Sequence, residues 1–153
     1  DIVIPINIDF LNPYQVLFIF PSIRILSIEA YSLLSRFVKK VSWVGNKTKE
    51  FLKNLKLNKV LDFSFFYNDF EENLKTKYFS IINLKERIEG VIRKCGIKEY
   101  RFLLSGSGST FMFFIDKSDY KALESIKLNL EELRKDVKGL LNLDFEFTFA
   151  NII

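Results

Sequence analysis

Tyr100-Arg101-Phe102-Leu103-Leu104-Ser105-Gly106-Ser107-Gly108-Ser109-Thr110-Phe111-Met112-Phe113-Phe114-Ile115 is the stretch from which the rest of this chain is read. Two apolar runs, residues 100–104 and 110–115, flank a short loop that holds two of only six glycines. Glycine loses more backbone freedom on folding than any other residue, so it is placed where φ is positive or another chain segment comes close. A glycine-poor chain that still spells Ser-Gly-Ser-Gly-Ser specifies a loop, one that meets a ligand or another backbone. The two runs beside it then form a hairpin, with Phe111, Phe113 and Phe114 packing in a sheet.

Helices are expected on both sides of this hairpin. Before it, Phe70, Leu74, Tyr78, Ile81, Leu84, Ile88 and Val91 recur at three- and four-residue steps. They predict one long helix or two in line, opened by Asn68-Asp69-Phe70-Glu71 and stopped at Gly96. After it, Ser118 is placed to cap a helix carrying Tyr120, Leu123, Ile126, Leu130, Leu133 and Val137, with Gly139 as its end. Residues 144–151 alternate Phe145, Phe147 and Phe149 with polar neighbours, the period of a half-buried strand. Near the start, residues 15–20 read as a buried strand closed by Pro21. Ser27 is the expected N-cap of a helix bearing Ala30, Leu33, Leu34, Phe37 and Val38. A further short helix is expected over residues 47–55, with Phe51, Leu52 and Leu55 inward. The order strand, helices, strand, strand, helix, strand implies an α+β domain. The expected form is a ferredoxin-like four-stranded antiparallel sheet with helices on one face, its first crossover swollen to several helices. One domain spans residues 1–153.

Composition limits the chemistry. The hydrophobic fraction of 48% in 153 residues is enough for one sizeable core. The chain has 17 Phe, one Trp and no His. Without His there is no Ser-His-Asp triad, no Cys-His dyad and no His-ligated zinc. Cys95 stands alone, so no disulfide or cysteine metal cluster forms within the chain; we read it as a buried thiol near a helix end in a reduced cytoplasm. The longest apolar runs fall far short of the roughly 20 residues that span a bilayer, and the start does not resemble a signal peptide. The chain begins with Asp1 rather than Met, from which we expect a fragment, an excised domain or a processed product. The net charge is +4, with lysines gathered at positions 39, 40, 47, 49, 53, 56 and 59. That cluster is either an anion or nucleic-acid patch or the solvated face of short helices.

Consecutive amides and the hydroxyls of Ser105, Ser107 and Ser109 make the loop a reasonable cradle for phosphate or for a partner loop. Yet it lies between two strands. A phosphate loop of the nucleotide-binding kind leads into a helix and carries a lysine, and neither follows here. An ordinary flexible hairpin turn is the competing account.

Residues 104–111 resemble the third conserved motif of the GHMP kinases, in the version found in the branch that serves isoprenoid synthesis. Three further segments agree in order and rough spacing. Asn68-Asp69-Phe70-Glu71 resembles that branch's Asn-Asp-(apolar)-Glu element; residues 16–21 with Ser27, Glu29, Ala30 and Tyr31 resemble its strand, proline and following helix; and residues 1–5 resemble the lead-in to its C-terminal domain. The likeness covers nearly all of this chain and about the C-terminal half of the family's length. It implies an ATP- and Mg-dependent cytoplasmic kinase for a small-molecule alcohol, with the active site in a cleft between two domains. Ser105, Gly106, Ser107, Gly108, Ser109 and Thr110 would lie near the phosphates, and Tyr31 would either touch the substrate or join the core. Asn68 and Asp69 would either cap a helix or touch a ligand. The partner implied is the N-terminal kinase domain, which in the family supplies a second glycine-rich loop, a catalytic Asp and a Lys. No such loop is present here, and Asp1, Asp9 and Asp69 sit in no matching motif. No catalytic residue and no metal ligand is therefore assigned to this chain, and the chain alone is expected to be inactive.

Three alternatives stay open at this level. One is a GHMP kinase for another alcohol, such as homoserine or mevalonate. Another is an RNA-binding module with Phe18, Phe20, Phe111 and Phe113 stacking bases, although residues 100–111 do not follow the RNP1 pattern and nucleic acid is not the expected partner. The last is a regulatory or homo-oligomerising domain whose exposed apolar surface favours self-association.

Overall fold

A computed structural model of the chain describes residues 12–37, 49–54, 68–71, 75, 77–98, 100–116 and 120–151. Four strands form one sheet: β1 (Tyr14–Pro21), β2 (Tyr100–Leu104), β3 (Phe111–Asp116) and β4 (Phe145–Asn151), in the order β2-β3-β1-β4. Every neighbouring pair is antiparallel. β1 is central, paired on one side with β3 (Leu17 opposite Phe113) and on the other with β4 (Leu17 opposite Phe149). The described helices of ten or more residues are α1 (Ser27–Phe37), α2 (Phe79–Lys94) and α3 (Tyr120–Leu141).

The strands form where aromatic and β-branched residues alternate, because such side chains pack well on a pleated surface. One face carries Leu17 and Ile19 from β1, Phe102 and Leu104 from β2, Phe111, Phe113 and Ile115 from β3, and Phe145 from β4, all buried. Against it lie Ile81, Leu84, Ile88 and Ile92 of α2 and Leu123, Ile126, Leu130, Leu133 and Val137 of α3, spaced three or four apart so that each helix buries one stripe. Phe102, Phe111 and Phe113 form a cluster with ring centroids 5.3–6.0 Å apart. Phe147 and Phe149 pack half-buried against the same core. The α+β class, the four-stranded antiparallel sheet and the hairpin are as the periodicity predicts.

Several local expectations change. Phe18 and Phe20 lie on the opposite face of the sheet, stacked at 6.2 Å. Phe111 and Phe113 are fully buried under the helices, so the four phenylalanines cannot form one base-stacking platform. Phe114 also points away from the helical core while its neighbours Phe113 and Ile115 point into it, as the period of a strand requires. Of the two forms expected for residues 70–91, the single long helix is excluded, since Tyr78 has φ −113° and ψ 54° and begins α2 afresh, and the form with two helices stays. Gly96 (φ +88°) follows α2 as expected. α3, by contrast, passes through Gly139 and stops at Asn142, whose φ is +49°. An exposed helical glycine costs only about 1 kcal/mol, whereas the stop needs a left-handed residue, and asparagine serves. Cys95 is half-buried rather than buried, beside Ser125 Oγ at 3.5 Å. Residues 49–54 are helical with Phe51 and Leu52 half-buried; Leu55, Ser118 and the remaining lysines of the basic cluster lie outside the described residues, as do Asp1 and Asp9. Among the described residues no helix is long and apolar enough to cross a membrane.

The turn into β4 is tied by charge. Asp144 accepts from Arg134 Nε (2.8 Å), Lys138 Nζ (3.2 Å) and the Phe145 amide (2.8 Å), while Ser22 N donates to Asp144 O (2.8 Å). The Arg134 and Lys138 hydrogen bonds hold its carboxyl down at about 2, against an ordinary 3.8. A depressed carboxylate contributes stability above its ordinary value and loses it as pH falls through the folded value. The melting temperature of the wild type should therefore fall more steeply from pH 4 to pH 2 than that of Asp144→Asn, followed by circular dichroism. Parallel curves would remove this ion pair from the account.

Candidate functional site

The loop at residues 105–110 is built as its glycines imply. Ser105 N donates to Thr110 O (2.9 Å) and Gly108 N to Ser105 O (3.1 Å). Gly106 has φ +57° and Gly108 φ +110°. A Cβ on Gly108 would sit 2.6 Å from Ile25 Cδ1. Both reasons for spending a glycine, a positive φ and a close neighbour, are met at Gly108, and the neighbour is the segment that leads into α1.

That segment brings Ser27 to the loop. Ser27 Oγ lies 3.0 Å from Ser107 Oγ, eighty positions along the chain. Ser27 is the first helical residue rather than the N-cap, since Leu26 O already accepts from Glu29 N and Ala30 N, each at 3.0 Å. A helix thus does begin beside the loop, drawn from another part of the chain instead of following it in sequence.

Residues 68–71 dock from a third direction. Asn68 Oδ1 accepts from Phe70 N (3.0 Å) and Asn68 O from Glu71 N (2.9 Å), the capping role expected of it. Its side-chain nitrogen also donates to Leu104 O (2.8 Å) and Gly106 O (2.7 Å), which the sequence reading missed. Glu71 Oε1 accepts from Leu104 N (3.2 Å). Burial raises the Glu71 carboxyl above the usual range, opposed by the Leu104 amide and the charges of Arg101, Lys85 and Lys75. Asp69 is exposed in the turn. Tyr31 is 61% exposed and meets Phe70 edge-on at 5.0 Å, so the core position is ruled out for it. Glu29, two residues before Tyr31, pairs with Lys77 and accepts from Tyr78 Oη, which ties α1 to the segment entering α2.

The amides of Gly106, Ser107 and Ser109 have no hydrogen-bond partner among the described residues. With the Ser27 and Ser107 hydroxyls and the positive end of α1, they offer donors in one small region, which suits an anion. Among the described residues the carboxylate that meets the end of β2, Glu71, is engaged by a backbone amide. Among the described residues no group of three or more Asp, Glu, Cys or His is placed to hold a metal ion.

No protein-family model matches this chain, and no curated protein or solved structure does either.

Proposed function

We propose that this chain is the C-terminal domain of a GHMP-type kinase, of the kind that transfers the γ-phosphoryl group of ATP to the 2-hydroxyl of 4-diphosphocytidyl-2-C-methyl-D-erythritol. One observation carries the reading. Three separate segments of the resemblance, around Ser27, at Asn68–Glu71 and at residues 105–110, meet at one place through side-chain and backbone hydrogen bonds. Segments that were merely similar by composition would have no reason to converge. The strand order, with each outer strand reached by a crossover past its neighbour, supports the ferredoxin-like description of the sheet.

Phosphoryl transfer is mainly positioning and charge stabilisation around the phosphates. In this reading the loop amides and the Ser107 and Ser109 hydroxyls form one wall of the phosphate site. Mg2+ would neutralise phosphate charge, and the described residues supply no group of three or more acidic or cysteine side chains to hold it. A second domain supplies the base, the metal ligands and the other glycine-rich loop.

Two measurements on the purified chain test this. Addition of millimolar ATP should shift the amide resonances of Gly106, Ser107 and Ser109 in a 1H–15N spectrum while those of α3 stay in place. The same preparation should form no phosphorylated product from ATP and 4-diphosphocytidyl-2-C-methyl-D-erythritol. Loop resonances indifferent to ATP would remove the phosphate role, and product formation by the chain alone would remove the two-domain division of labour.

A further inference from the structure

We infer that Asn68 and Glu71 are positioning residues that aim the free amides of the 105–110 loop, acting through the backbone of Leu104 and Gly106. The inference rests on the phosphate-facing reading of that loop, and adds the device that sets it.

β2 is an edge strand. An edge strand leaves every second residue with its N–H and C=O turned outward and unpaired. At Leu104, the last residue of β2, both outward groups are taken: the N–H by Glu71 Oε1 and the C=O by Asn68 Nδ2. Residues 68–71 therefore stand in for a neighbouring strand at the point where β2 becomes the loop. Asn68 does more than close the edge. A side-chain amide has two N–H donors, and here both are used, on Leu104 O and Gly106 O. The staple spans Ser105, the first residue of the turn.

The bond to Gly106 O has a geometric consequence. A peptide unit is planar and trans, so its C=O and the following N–H point in opposite directions. Fixing the Gly106 carbonyl on Asn68 fixes the Ser107 N–H away from Asn68. The open donor of Ser107 is aimed by a residue that need not touch the ligand at all.

The two halves of Asn68 are separable. Asn68→Asp keeps the acceptor for Phe70 N and loses both donors; Asn68→Ala loses everything. Hydrogen exchange of the full chain is read at Ser105 and Gly108, the loop amides that are hydrogen-bonded within the turn, against Ile88 and Ile126 as core references. If aiming is the role, both variants accelerate exchange at the two loop amides by roughly tenfold, while the core references change little. Glu71→Leu gives the same pattern, and Glu71→Gln, which retains an oxygen acceptor for Leu104 N, stays close to wild type. A silent Asn68→Asp beside a perturbed Asn68→Ala would reduce Asn68 to a turn cap and overturn the inference. Loop and core exchange rising together in Asn68→Asp would overturn it too. If Asn68→Ala does not fold, Asn68→Asp and Glu71→Leu still decide. Inorganic phosphate is added to each sample as a separate readout. Loop exchange that responds to Asn68→Asp but not to phosphate in the wild type would leave the positioning intact and remove the phosphate reading.

Discussion

Phe113→Ala should destabilise the protein by about 3–5 kcal/mol, the range for deleting a buried aromatic ring. Phe113 is wholly buried, with ring centroids of Tyr100, Phe102 and Phe111 at 6.0, 5.6 and 6.0 Å. It faces Leu17 on β1 and Phe102 on β2, so its loss opens a cavity at the middle of the sheet. A domain of this size has a total stability of about 5–15 kcal/mol, so the variant should retain only part of its cooperative transition. Phe20→Ala is the internal control: Phe20 is 41% exposed on the other face and stacks on Phe18, so its truncation should cost less than about 1 kcal/mol. Urea denaturation of both variants measures the difference. Equal losses would mean that the facing of β1 and β3 is wrong.

Gly108→Ala should cost about 2–4 kcal/mol, through a positive φ that an L-residue resists and a Cβ that meets Ile25. The two contributions come apart in a cycle. Ile25→Val removes the Cδ1 atom that would lie 2.6 Å from the new Cβ and leaves Cβ and Cγ1, each 3.6 Å away, at ordinary contact. In the Ile25→Val background Gly108→Ala should therefore cost less, the remainder being the backbone term at φ +110°. Additive losses would show that Ile25 simply turns aside. A Gly106→Ala comparison completes the set, since nothing lies within 4 Å of a Cβ there and only its φ of +57° opposes the change. It should be the milder of the two.

Much of this fold is legible in the residues because its strands and helices are local patterns. The apolar steps of residues 81–92 and the Phe alternation of residues 145–149 mark their elements without outside information. The Ser-Gly loop is legible for the same reason: glycine in a glycine-poor chain signals positive φ and close approach, and Gly108 meets both. What escapes the sequence is pairing at a distance. That the Ser27 hydroxyl faces Ser107 instead of capping its helix depends on where Gly108 allows Ile25 to sit. That Asn68 staples Leu104 and Gly106 depends on β2 being an edge, which only the strand order decides. Tyr31 looks apolar at helical spacing, yet its ring lies exposed against Phe70. Gly139 misleads because a helix tolerates an exposed glycine more readily than it finds a left-handed residue at its end.

The central place of β1 has a consequence for how the molecule is made. Its neighbours are β3 and β4, and its Gln15 pairs with Asn151. During synthesis at about 5–20 residues per second, an apolar strand emitted early waits on the order of ten seconds for its last partner. Until β3 emerges both its edges offer unpaired backbone groups to any neighbouring chain, and until β4 emerges one edge still does. The α2–β2–β3 portion, whose contacts are close in sequence, is complete before β4 appears, and topologies ruled by distant pairings fold slowly. A chaperone that shields the β1 segment during that wait should raise the yield of folded chain.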